Sequence, residues 1–164
     1  MTITVLKFDI LIAGIVVGRI RVDLLITDGM PASPRHTITA TPFRYAFASY
    51  ASEDRGRVLD RVAEINRNGV DVFLDCLSIR PGEKWKPVLE NEIQKSSTFL
   101  LFWSIHAKQS AMVSWEWHTA LRLKGIDGIE PHPLDPVEDA RPPDELKELH
   151  FGDVYMLVRK GTER

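Results

Sequence analysis

The segment Thr98-Phe-Leu-Leu-Phe-Trp-Ser104 decides the fold. Its apolar residues occupy both parities, so neither face can be given to water, the pattern of a central strand covered on both sides. Upstream, Phe43-Arg-Tyr-Ala-Phe-Ala-Ser49 predicts a first strand of the same sheet. Ser52-Glu-Asp54 then reads as a helix N-cap with acids in the first turn, and Val58, Leu59, Val62 and Ile65 recur at helical spacing until Asn68-Gly69 stops the helix. Val70-Asp-Val-Phe-Leu-Asp75 predicts a second strand. A loop over residues 78–84 leads to a second helix on the stripe Trp85, Val88, Leu89 and Ile93, where Pro87 fits only the first turn. Downstream, a helix is expected over 110–124, a strand within 129–134, an irregular proline-rich stretch over 135–143 and a fifth strand within 150–158. Short apolar runs alternating with helix-period segments define an α/β fold built on a parallel sheet.

The first 40 residues follow another pattern. Residues 3–12 and 15–26 are rich in Val, Ile and Leu around Ala13-Gly14, which predicts a β-hairpin. In its second arm Val17, Arg19, Arg21 and Asp23 alternate with Gly18, Ile20, Val22 and Leu24, so one face is apolar. A lone hairpin is marginal in water, and this one must pack on the main domain, on a copy of itself or on a neighbouring piece of a longer protein. Asp28-Gly-Met-Pro-Ala-Ser-Pro34 reads as a linker, dividing the chain into an extension over 1–40 and a domain over 41–160. The apolar run over 10–18 lies between Asp9 and Arg19, about half the ~20 residues a spanning helix needs, and it lacks the flanks of a secretory signal. No membrane association is expected.

Composition narrows the chemistry. Lys plus Arg is 21 and Asp plus Glu is 23, a formal charge of -2, which offers no field for a phosphate backbone and argues against nucleic acid. The single cysteine, Cys76, excludes an internal disulfide and fits a cytoplasmic protein; it reads as a nucleophile beside a histidine or as a small buried hydrophobe. The five histidines show no metal-binding spacing, and no metal is expected. In an open parallel sheet ligands bind beyond the carboxyl ends of the strands. The first strand ends in Ser49-Tyr50, with neither a dinucleotide-binding glycine loop nor a G-x-x-x-x-G-K-[ST] phosphate cradle. Ser49 offers a hydroxyl and Tyr50 a hydroxyl and an aromatic face, so both are candidate binding residues. Asp75 either contacts a ligand or caps the turn after the second strand.

Four blocks in order carry a family resemblance over about residues 41–158. Phe43-Arg-Tyr-Ala-Phe-Ala-Ser-Tyr-Ala-Ser-Glu-Asp54 resembles the first box of TIR (Toll/interleukin-1 receptor) domains. Val70-Asp-Val-Phe-Leu-Asp75 with Arg80-Pro-Gly-Glu-Lys-Trp85 resembles the second strand and the loop that follows it. Ser110-Ala-Met-Val-Ser-Trp-Glu-Trp-His-Thr-Ala-Leu121 is similar to the third helix of bacterial members, and Pro142-Pro-Asp-Glu-Leu-Lys-Glu-Leu-His-Phe-Gly-Asp153 to the approach to the last strand. The resemblance implies a flavodoxin-like three-layer fold with a central five-stranded parallel sheet, preceded here by the hairpin extension.

It also implies two functional classes, scaffolds that assemble signalling complexes and enzymes that release nicotinamide from NAD+. In the enzymes the helix glutamate is catalytic, which carries over to Glu116. The reaction suits a single carboxylate: nicotinamide leaves as a neutral molecule, so the site needs only to stabilise an oxocarbenium-like ribose. NAD+ is then a substrate, no cofactor is required, and the product is ADP-ribose or a cyclic isomer. Besides Ser49, Tyr50 and Asp75, the substrate-binding residues implied are Trp85, which either stacks on a ring of the ligand or anchors packing, and Met112, standing where the family often has a tryptophan. Trp115 and Trp117 lie roughly 200° apart on the helix, so at least one belongs to the core. The loop residues Ser78, Arg80, Pro81, Gly82, Glu83 and Lys84 resemble the family's assembly element. Partners implied are further copies of the chain and other domains or a sensor protein, and the family setting is bacterial anti-phage immunity. The alternative is a non-catalytic TIR interaction module.

Overall fold

Residues 2–12, 15–26, 36–74, 85–149 and 151 are described by the computed structural model. They fall into two units, Met1–Phe43 and Arg44–Arg164.

Three antiparallel strands, β1 (Thr2–Ile12), β2 (Ile15–Ile26) and β3 (His36–Pro42), build the first unit in the order β1-β2-β3. The expected hairpin is therefore extended by a strand that the composition of 36–42 did not announce. Thr37-Ile-Thr-Ala-Thr41 is short and polar on alternate positions, which suits an edge strand, and it pairs with β2 from Thr37↔Asp23 to Thr41↔Arg19. Register places Leu6, Phe8 and Ile10 opposite Val22, Ile20 and Gly18, and sets Ile38 and Ala40 beside Val22 and Ile20. Asp9 and Arg19 are also opposite each other, and Arg19 Nε donates to Asp9 Oδ1 at 2.7 Å. Gly18 has a steric reason: a Cβ there would lie 2.9 Å from the Thr41 carbonyl oxygen.

The second unit alternates strand and helix: β4 (Tyr45–Ser49), α1 (Arg55–Arg67), β5 (Asp71–Leu74), α2 (Trp85–Lys95), β6 (Thr98–Trp103), the short α3 (Ile105–Gln109), α4 (Ala111–Lys124) and β7 (Ile129–Pro133). The strands are parallel in the order β5-β4-β6-β7. All six residues of β6 are buried, as its doubly apolar sequence requires. Phe47 on β4 stacks on Phe73 of β5 (5.5 Å between centroids) and on Phe99 of β6 (5.4 Å), tying three strands together on one face. Helices α2 and α4 pack on each other, and α4 reaches β4, β6 and β7. Leu89 and Ile93 from α2 and Val113, Trp117 and Ala120 from α4 join this core.

Three local readings are refined. Residues 52–54 form a 3-10 turn, and Asp54, at the N-cap of α1, makes no side-chain capping bond because its carboxylate is engaged elsewhere. Gly69 ends the helix with φ 82, the left-handed conformation glycine adopts without a Cβ penalty. The helix α3 was not expected; it exists because Ser104, just past β6, caps it by accepting from Ala107 N at 2.9 Å. The parallel sheet has four strands among the described residues instead of five. The fifth, within 150–158, lies outside them except for Phe151, which is buried with its ring 6.2 Å from that of Trp103. Asp75, Cys76 and the loop residues 78–84 also lie outside the described residues.

Candidate functional site

From β4 the chain moves to β5 on one side and then crosses to β6 on the other, so the topological switch lies at the carboxyl ends of β4 and β6. Ser49 ends β4 there, beside Leu101 of β6. Its Oγ donates to Glu116 Oε2 at 2.6 Å, and both residues are 0% exposed. The sequence explains how the glutamate reaches this place. Ser110 caps α4 by accepting from Val113 N, and the helix turns Val113, Glu116, Trp117 and Ala120 inward. Glu116 thus occupies a core slot that amphipathic patterning would give to a hydrophobe. Burying a carboxyl group costs several kcal/mol without polar partners, so its position demands the hydroxyl that β4 supplies.

The other expected residues divide around this pair. Tyr50 is buried next to Ser49. Trp85 opens α2 and packs edge-on against Trp115, 5.4 Å between centroids at 82°, with Lys86 Nζ 5.2 Å from the Trp85 ring centre. Trp117 is the core member of the tryptophan pair and Trp115 is half-buried. Met112, one turn before Glu116, is exposed at 36%. Trp85 and Trp115 therefore meet each other on one flank of α4, while Ser49 and Glu116 meet beneath it.

A second polar cluster, which the sequence did not single out, joins the segments that follow β4, β6 and β7. Ser104 Oγ donates to Asp54 Oδ2 at 2.5 Å, and both residues are buried. Arg57 bridges Asp54 Oδ1 (3.2 Å) and Asp135 Oδ1 (3.0 Å) and also donates to the Leu134 carbonyl. Asp135 Oδ2 accepts from Ile105 N at 2.9 Å. That backbone donor, and then Arg57, hold the Asp135 carboxyl below the ordinary aspartate range. Polar residues within a few positions of the ends of three parallel strands were the available signal. On β7, His132 has a buried Nε2 with no hydrogen-bond partner among the described residues, and its ring lies 5.1 Å from that of Phe102. Burial, with Arg61 nearby, pushes its pKa down to about 4. Among the described residues no three His, Cys, Asp or Glu side chains gather as a metal site, and no helix is long and apolar enough to cross a membrane.

A doubly wound parallel sheet with a buried helical carboxyl at its switch point defines a class of α/β domain rather than one activity. The family model for the TIR domain matches residues 47–161, and the chain belongs to the TIR family. Among solved structures it is similar to the TIR domain of the Toll-related receptor TRR-2 from Hydra magnipapillata, with a TM-score of 0.60 and 20% identity over 72% of this chain and 90% of that one. That likeness carries the fold. No curated protein matches the chain.

Proposed function

We propose that this TIR protein is an NAD+ nucleosidase in which Glu116 acts on the nicotinamide ribose. The observation that carries the reading is the Ser49–Glu116 bond at the switch point, a carboxyl group placed in the core where stability alone favours a hydrophobe. In the reaction the bond between ribose C1′ and the pyridinium nitrogen breaks, and its electron pair stays on the nitrogen to give neutral nicotinamide. The positive charge left on the ribose is stabilised by the carboxylate, and water or a nucleophile of the substrate itself attacks C1′ and loses its proton. The first route gives ADP-ribose and the second a cyclic isomer. Ser49 would fix the Glu116 rotamer, and Tyr50 would line the same end of β4. The remaining residues of this assignment are Trp85, Met112 and Asp75 for substrate and the 78–84 loop for assembly.

Glu116 is fully enclosed. A ribose can reach it only after a change of state, so the reading requires turnover to depend on association between TIR domains, as in an immune effector silent until triggered. The same enclosure supports a second reading, in which the Ser49–Glu116 pair locks α4 onto β4 and the domain serves as a signalling scaffold. Incubation with NAD+ over a range of protein concentrations, following nicotinamide release, separates the two. Release that rises faster than protein concentration and disappears in Glu116→Gln supports the enzyme. No release at any degree of association favours the scaffold.

A further inference from the structure

On the flank of α4 away from Trp115, an open pocket of about 450 Å³ lies between α3, α4 and the segment at 141–144. Its volume falls in the range of small-molecule sites. Trp103, Trp117 and Ala107 form apolar walls with Pro142 and Pro143, and the rim carries Lys108, Ser114, Arg141 and Asp144. The polar groups are unbalanced. Neither Lys108 nor Arg141 is in an ion pair among the described residues, so two cations and a serine hydroxyl face one carboxylate. The two indoles differ as well. Trp103 Nε1 donates to the Ala140 carbonyl at 2.8 Å, whereas the N–H of Trp117 makes no hydrogen bond among the described residues and is not one of their buried unsatisfied polar atoms, so the little surface Trp117 exposes includes its nitrogen. An accessible indole donor on the wall of a pocket whose rim carries two cations outside any ion pair suits an oxyanion.

We propose that this pocket binds a phosphate-bearing small molecule with a flat apolar body, the phosphate held by Lys108, Arg141 and the Trp117 N–H and the body against the proline and tryptophan walls. Arginine presents a fork matched to phosphate oxygens and lysine adds a point charge, while the apolar walls are too extensive for a bare ion. Trp117 follows Glu116 in the chain, so occupancy would be sensed next to the buried carboxyl. The site is read by binding and stands or falls apart from NAD+ cleavage.

The test uses the uniformly 15N-labelled chain and its tryptophan indole N–H signals, with Trp117 assigned by its loss in Trp117→Phe. AMP, inorganic phosphate and adenosine are the probes. AMP is expected to shift the Trp117 signal with saturation below about 1 mM, phosphate more weakly, and adenosine least. The Lys108→Ala/Arg141→Ala variant, altered only at exposed side chains, should keep its thermal midpoint and bind AMP at least about tenfold more weakly. No shift with AMP, equal shifts with adenosine and AMP, or unchanged AMP affinity in the double variant would each overturn the proposal.

Discussion

Replacing Ser49 by alanine removes one oxygen from a site closed to water. The hydroxyl donates to Glu116 Oε2 at 2.6 Å and neither residue has any exposed surface, so solvent cannot replace the lost donor. A buried hydrogen bond to a charged group contributes about 1.5–3 kcal/mol, and an acceptor that loses a donor bears part of its desolvation cost. We therefore expect Ser49→Ala to lower the stability of the TIR unit by roughly 2 kcal/mol. Glu116→Gln keeps the acceptor oxygen and the shape, so in that background the same substitution should cost only about 1 kcal/mol, a coupling energy near 1 kcal/mol. The assay is urea unfolding of the four proteins of the cycle, followed by tryptophan fluorescence, with equal m-values required before the midpoints are compared. A Ser49→Ala loss under about 0.5 kcal/mol, or strict additivity with Glu116→Gln, would refute the claim that this bond holds α4 on β4.

Three further outcomes follow from the same geometry. Asp54→Ala should destabilise by about 2–3 kcal/mol in the same assay, because buried Ser104 loses its acceptor and Arg57 loses one of its two carboxylates. The His132 pKa is lowered on folding from 6.5 to about 4, so the neutral ring is what the fold favours. Its contribution is complete above pH 6.5 and is lost as the pH falls toward 4, by up to roughly 3 kcal/mol; His132→Leu should flatten thermal midpoints across that window. Gly69→Ala meets no steric obstacle but must adopt φ 82, and a loss of about 1 kcal/mol is expected by denaturant titration.

The centre of the sheet was legible because β4 and β6 are short and buried on both faces. Thr98–Trp103 could be nothing else, and the caps at Ser110 and Gly69 mark helix ends whose chemistry is local. Contacts between distant segments were harder to read. The Ser49–Glu116 bond spans 67 positions, and although each residue was a candidate alone, only the pairing of β4 with β6 and the packing of α4 bring them together. Asp54 was read as an acid in the first turn behind a Ser52 cap because capping preferences are local, yet Ser104 lies 50 positions away and wins its carboxylate. The strand β3 escaped notice because its threonines carry little apolar signal, and its pairing with β2 depends on register rather than composition. Trp85 shows the same dependence on distant contacts: its edge-on neighbour Trp115 comes from another helix 30 positions on.

The central claim is that the carboxyl group of Glu116 is chemical as well as structural. Nicotinamide release from NAD+ by the concentrated chain, compared with Glu116→Gln at matched folded fraction, tests it most directly. The account predicts release by the native sequence that grows more than proportionally with protein concentration, and a loss of about a hundredfold or more in the variant. Equal release from both proteins, when both are folded and equally associated, would contradict it.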